Sequence, residues 1–301
     1  MSTVSVLLPA LARFQSLHDF QRRLLRADVL ERGATHELAT SHYFHWAESP
    51  LPAAALMREH LAHDAGDHAW LCAELAHIKP DMTGARMLAC GSLDVSRDDA
   101  DALAAALQPL FDDRGMALQT TLPARWHVRL PDPLQVPALD PPGDVLGDDL
   151  IRHLPEGDAG KPWRQLLNEV QIVLHQHPIN QARAGQGKPA INSLWLWGGG
   201  RLPAQVQSDV QVVHGDDLLL ASLASAAGVT HYPLTDFRVD AKVEADTLLD
   251  LGRSGEPAAC RDLLFELLDD KRTDTLALHF ADGERYRLRR GQRWRLWRRG
   301  S

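Results

Sequence analysis

The sequence has 301 residues and a mass of 33.3 kDa, is 45% apolar and 24% charged, and carries a formal net charge of −8. A chain of this length buries roughly three quarters of its unfolded surface and needs no disulfide or metal to hold a core. Its composition excludes disorder, collagen and coiled coil as overall descriptions, and at about 150 residues per domain it admits one large domain or two small ones.

The charge is unevenly placed. Residues 285–301 hold eight arginines and no acid, which leaves −16 on residues 1–284. An acidic body attracts polyanions poorly, so nucleic acid is not an expected partner. The arginine-rich end is the one basic surface, suited to an acidic protein partner. Cys72, Cys90 and Cys260 are odd in number and far apart, with no CxxC pair, which predicts a reducing compartment and excludes a thiolate zinc site. The longest uncharged apolar runs fall far short of the ~20 residues of a membrane span. The N-terminus has neither a basic n-region nor a small-residue cleavage site. A cytoplasmic protein with no membrane association is expected.

Helical and strand-like periods alternate, which predicts an α/β fold: a central, mostly parallel sheet flanked by helices, with a C-terminal antiparallel β meander. The clearest helix follows Ser96, where Ser-x-x-Asp reads as a capping box with Asp98 and Asp99 in the first turn. Leu103, Leu107, Leu110 and Phe111 share one face, and Gly115 stops the helix. Strands are expected at 117–122 and 125–130. A Pro-, Asp- and Gly-rich stretch follows at 131–160, read as a linker or excursion between parts 1–130 and 161–301, or within one continuous domain.

A second helix is expected from Pro162 through Leu174, stopped by Pro178. Residues 192–197 (NSLWLW) read as a buried strand feeding a tight glycine loop, with Trp195 and Trp197 as core packing. Helices are predicted over 216–227, behind Asp216 and Asp217, and over 257–270. At the end, TLALHF, Asp282-Gly283, RYRLRR, Gly291-Gln292 and RWRLWR form the expected three-stranded meander.

The segment 175–203, HQHPINQARAGQGKPAINSLWLWGGGRLP, is the most distinctive. Glycines lacking Cβ let backbone N–H groups approach an anion, and a following arginine can grip it with two bonds. Asn180, Arg183, Asn192, Gly198, Gly199, Gly200 and Arg201 are therefore the candidate ligand-binding residues, for a small phosphorylated or carboxylated metabolite. A tight turn after a buried strand explains the same glycines by geometry alone. Seven of the fifteen histidines lie between residues 36 and 77, but no HExxH accompanies them. No GxSxG elbow occurs, and the cysteines sit in apolar patterns where burial keeps a thiol inert, so no catalytic residue is assigned.

The pattern HPIN…R…G…AIN…WLWGGG…P resembles the RpfE-type regulatory protein family. It is also similar to the HPxNxxR…G…N…GxG stretch of archaeal-type cofactor-independent phosphoglycerate mutases, in the alkaline phosphatase superfamily. Agreement spans about 165–230, including HGDDLLLASLASAAGV, and is looser over 68–130. The resemblance implies a metal-bound Asp in an Asp-Gly turn after the first strand, a nucleophilic serine, and late Asp and His ligands to two divalent ions. At the first strand, however, Leu8-Pro9 stands where the acidic turn would be. Late in the chain, His279 and Asp282 keep the family's spacing, while the histidine expected after Asp282 is missing. A pseudoenzyme follows as the expectation: a bacterial, non-catalytic regulatory or ligand-binding protein without a cofactor. One alternative is an active metal-dependent phosphoglycerate mutase or phosphatase that uses Mn or Mg at His279 and Asp282. Another is a partner- or nucleic-acid-interacting protein acting through the arginine-rich end.

Overall fold

Seven residues form β1 (Ser2–Leu8), in which Val4, Val6 and Leu8 are buried on one face while Ser5 and Leu7 are buried on the other. A strand covered on both faces belongs inside a parallel sheet. The structure, a computed structural model, describes residues 2–32, 39–47, 49–82, 84–132, 136–239, 246–270 and 273–294. The chain forms two compact units, Met1–Trp46 with Gln205–Ser301, and Ala47–Ala204. The stretch 131–160 lies inside the second of these, and the boundaries fall at 46/47 and 204/205.

After β1 come a 3₁₀ turn (Leu11–Phe14), α1 (His18–Leu24), β2 (Asp28–Glu31) and β3 (Phe44–His45). The second unit then supplies α2 (Ala53–Ala62), β4 (Ala69–Pro80), β5 (Ala85–Cys90), α3 (Arg97–Asp112), β6 (Ala117–Gln119) and β7 (Arg125–Arg129). It continues with α4 (Pro142–Val145), α5 (Gly157–Gln176), α6 (Pro178–Gly185) and β8 (Ser193–Arg201). The chain returns to the first unit through β9 (Gln207–Ser208), β10 (Val212–His214), α7 (Leu218–Ala226), β11 (Thr230–Tyr232) and β12 (Thr247–Asp250). It ends with α8 (Pro257–Asp269), β13 (Thr273–Phe280) and β14 (Arg285–Arg289).

The first unit is built on a seven-stranded sheet in the order β11-β10-β12-β1-β13-β14-β2. The four pairings from β11 to β13 are parallel, and β13–β14 and β14–β2 are antiparallel. Phe14, Phe20, Leu264, Leu267 and Phe280 pack with Val4, Val6 and Leu8 into its core. This is the expected α/β architecture with an antiparallel ending. The hairpin turns at Asp282-Gly283, where Gly283 takes φ +81°, and pairs Leu276 with Leu288. The third antiparallel strand is β2, however, and not the expected C-terminal run. Residues 290–294 wind into a 3₁₀ turn because the Gln292 side chain accepts from the Arg289 N–H (3.0 Å) and donates to Asp28 (3.0 Å). Residues 295–298 of the expected strand lie outside the described residues.

The second unit departs from the parallel pattern. Its sheet runs β5-β4-β7-β6, with β8 on the other side of β4, and every pairing is antiparallel. The loops explain this: β4 joins β5, and β6 joins β7, through connections far too short for a parallel crossover. Leu71, Leu75, Leu194 and Leu196 of the sheet meet Leu103, Leu107 and Phe111 of α3 and Trp163, Leu166 and Val170 of α5. The Ser96 hydroxyl caps α3 by accepting from Asp99 N (3.1 Å). Among the described residues, no helix is long and apolar enough to cross a membrane.

Candidate functional site

In open parallel sheets, ligands gather at the carboxyl ends of the strands. In the first unit those ends carry His214, Tyr232 and Asp250, the last residues of β10, β11 and β12, and Asp282 just beyond β13. Asp217 caps α7 by accepting from Leu220 N (3.0 Å), and its other oxygen pairs with Arg253 at 2.7 Å. Asp250 accepts from Gly252 N (2.8 Å). Burial pushes the Asp250 carboxyl up to about 6, and Asp217 and Asp216 act in the same direction. Gly215 makes the room: a Cβ there would stand 2.8 Å from the Cβ of Asp250. His214 stacks on Tyr232, with ring centroids 5.3 Å apart, and burial lowers its pKa.

The two residues singled out as weak metal candidates are occupied otherwise. His279 is buried, and its Nε2 accepts a hydrogen bond from the Arg285 guanidinium, which also pairs with Glu31 at 3.0 Å. Burial, then Arg285, then the His42 ring 4.7 Å away lower His279 to about 3. A donor cation fills the lone pair that a metal would take. Asp282 Oδ2 accepts from Leu11 N (2.8 Å), capping the 3₁₀ turn, while its Oδ1 is buried with no partner among the described residues. One spare oxygen is too few for a hard divalent ion, which needs several. Among the described residues, no three His, Cys, Asp or Glu side chains converge as metal ligands. The described residues around His279 and Asp282 do not fit a two-ion centre.

The 175–203 segment lies in the second unit, and its polar groups bond within the protein. Asn180 Nδ2 donates to the carbonyls of Leu174 (2.7 Å) and Ile191 (2.9 Å), and its Oδ1 accepts from Ile191 N (2.8 Å). Arg183 is buried and donates to the carbonyls of Pro189 and Asp94 (both 2.8 Å). Asn192 exchanges two bonds with the backbone of Ile78. Arg201 donates to the Asp67 carbonyl and to Asp132.

Asn180 and Arg183 lie on helix α6, with Pro178 as its first residue and His177 as its cap (3.3 Å to Ile179 N). The expected glycine loop is instead strand: Gly198, Gly199 and Gly200 lie within β8, before its last residue Arg201. Cβ atoms at Gly198 and Gly200 would lie 2.9 Å from Ala53 Cβ and 2.7 Å from Pro52 Cβ, and one at Gly199 would lie 2.8 Å from Val136 Cγ1. The three glycines thus let α2 and the chain at Val136 pack directly on β8.

A polar layer between this sheet and α2 escaped the sequence reading. Glu74, 1% exposed, sits 2.7 Å from Arg125 Nε and accepts from Trp197 Nε1 (3.0 Å), with Cys90 Sγ at 3.7 Å. His127, fully buried, bonds Thr121 Oγ1 (2.9 Å), which also accepts from Arg58 (2.8 Å). Burial, then Arg58 and Arg125, lower His127 to about 3. The signal was an acid inside the apolar run WLCAELAHI, since a buried carboxylate requires a cation. All three cysteines are buried, and burial raises the thiols of Cys72 and Cys90 away from reactivity.

A stretch of 63 residues is 41% identical to a probable 2,3-bisphosphoglycerate-independent phosphoglycerate mutase of Geobacter sulfurreducens. A stretch of the same length is 38% identical to the 2,3-bisphosphoglycerate-independent phosphoglycerate mutase of Methanosarcina mazei. The similarity is to phosphoglycerate mutase. It is partial, covering 21% of this chain and 16% of each relative. A weaker match, 29% over 124 residues, covers 36% of this chain and 31% of mutase 2 of Methanothermobacter thermautotrophicus. No protein-family profile matches the chain. Among solved structures, a Pyrococcus horikoshii protein aligns with a TM-score of 0.46 over 96% of this chain and 87% of its own. The cofactor-independent phosphoglycerate mutase of Thermoplasma acidophilum aligns with a TM-score of 0.37 over 96% and 89%, and both are 13% identical.

Proposed function

We propose that this chain is a non-catalytic ligand-binding or regulatory protein on a phosphoglycerate-mutase-like scaffold, of the RpfE-type regulatory kind. One observation carries the reading: the turn after β1. Metal-assisted phosphoryl transfer requires oxygen donors that hold the ions against the reacting group. Leu8, Pro9 and Ala10 bring no side-chain donor to that turn, and the Leu8 carbonyl already accepts from Ala281 N (2.9 Å). Leu11 N takes the Asp282 oxygen. The polar groups of the turn are thus engaged within the protein, which supports the reading.

Assaying the purified protein for interconversion of 2- and 3-phosphoglycerate, with Mn²⁺ or Mg²⁺ added, tests this. No turnover above a protein-free blank is expected. Metal-dependent turnover that disappears in Asp282→Asn would overturn the reading.

A further inference from the structure

The end of the first unit's sheet where β13 begins carries a second concentration of charge. Arg289 pairs with Thr275 there. Arg290 and Gln292 follow in the 3₁₀ turn, and Arg23 and Arg26 arrive from the end of α1. Together with Leu268 and Asp269, at the end of α8, they wall a cavity of about 60 Å³. That space admits a few waters or one small oxyanion group.

Part of this basicity has a structural cause. Both α1 and α8 end at the cavity, and cations complement the carboxyl ends of helices. Arg290 donates from Nε to the Leu268 carbonyl and from Nη2 to the Thr273 carbonyl (both 3.1 Å). The Arg23 guanidinium lies 3.8 Å over the Phe265 ring. Buried Gln292 stands between Arg289 N–H and Asp28. These contacts position the guanidinium groups. Four arginines and one carboxylate, Asp269, line the cavity, and Asp28 lies 3.9 Å from Arg289. Arginine forks match the geometry of tetrahedral oxyanions, and on a chain this acidic such a basin is distinctive.

We propose that this cavity binds a small oxyanion of the phosphate or sulfate type, free or as the end of an ester. Arg23 and Arg289 supply the direct grip. The site shares no residue with the carboxyl-end set and stands whether or not the scaffold is catalytic. Titration with inorganic phosphate tests it, read by calorimetry and by melting temperature, with ionic strength held constant by NaCl. Phosphate is expected to bind and to raise the melting temperature where equivalent chloride does not. The double variant Arg23→Gln, Arg289→Gln should bind about tenfold more weakly or worse. Asp269→Asn, which removes the lining carboxylate and leaves the helix intact, should bind several-fold more tightly. Glycerol 3-phosphate in parallel distinguishes the sources: affinity equal to that of phosphate indicates a free anion, and tighter binding indicates an ester. The same shift with phosphate and chloride, unchanged affinity in Asp269→Asn, or binding of heparin without binding of phosphate would each overturn the proposal.

Discussion

Replacing Gly198 by alanine separates a packing role from a ligand-cradling one. The residue takes φ +66°, where an L side chain costs roughly 1–2 kcal/mol. The added Cβ would lie 2.9 Å from Ala53 Cβ and 3.3 Å from Ala54 N, the second a backbone atom that cannot swing aside. Overpacking of that kind costs typically about 1–3 kcal/mol, so the expected total is about 2–5 kcal/mol. Stabilities of natural domains lie at about 5–15 kcal/mol, so such a loss is large. Urea unfolding followed by tryptophan fluorescence suits the measurement, because Trp70, Trp126, Trp163, Trp195 and Trp197 all belong to the second unit. Ala53→Gly removes the nearest obstacle, so in the double variant the two changes should couple by at least about 0.5 kcal/mol. A loss below about 1 kcal/mol for Gly198→Ala, or no relief from Ala53→Gly, would refute the packing argument. Glycines kept for an anion would then be the better explanation.

Two further outcomes follow from the polar layer of the second unit. His127 is held near about 3 in the folded protein and returns to about 6.5 when unfolded. The unfolded state therefore takes up a proton that the native state refuses. Stability of this unit should fall by up to about 1.4 kcal/mol per pH unit as pH drops from about 6.5 toward 4, and His127→Gln should flatten the profile. Urea midpoints measured across that range check it, and stability that holds or rises on acidification contradicts it. Glu74→Ala leaves the Arg125 charge unpaired and the Trp197 N–H without its acceptor, for an expected loss of about 3–5 kcal/mol. Glu74→Gln, which keeps an acceptor but not the charge, should lose less. Equal stabilities of the two variants in urea would show that the ion pair contributes little.

Much of the fold could be read locally because the signals are local. Ser96 and Asp217 cap the helices they precede, and Asp282-Gly283 turns the hairpin expected of it. Leu103, Leu107 and Phe111 face the core as their spacing requires. The failures concern information carried between distant segments. Whether β4 and β8 run parallel or antiparallel depends on which strands meet, and hydropathy does not encode that. Pro178 has no N–H to donate, which suits the end of one helix and the start of the next equally. Asn180 and Asn192 were visible as amides, but their partners at Leu174, Ile191 and Ile78 were not. At the first strand, the lack of an acidic residue at Leu8-Pro9 was plain in the sequence, while the bonds of Leu8 and Leu11 to Ala281 and Asp282 were not.

β1 lies at the middle of its sheet, yet Val4 pairs with Thr247 on one side and Leu8 with Phe280 on the other. During synthesis the chain emerges amino end first. β1 must therefore wait for its partners until β12 and β13 have left the ribosome. Residues 47–204 pair only among themselves within their sheet, so they can settle during that interval. β1 is thus seated only after β12 and β13 are made, by which time residues 47–204 have had the interval in which to fold.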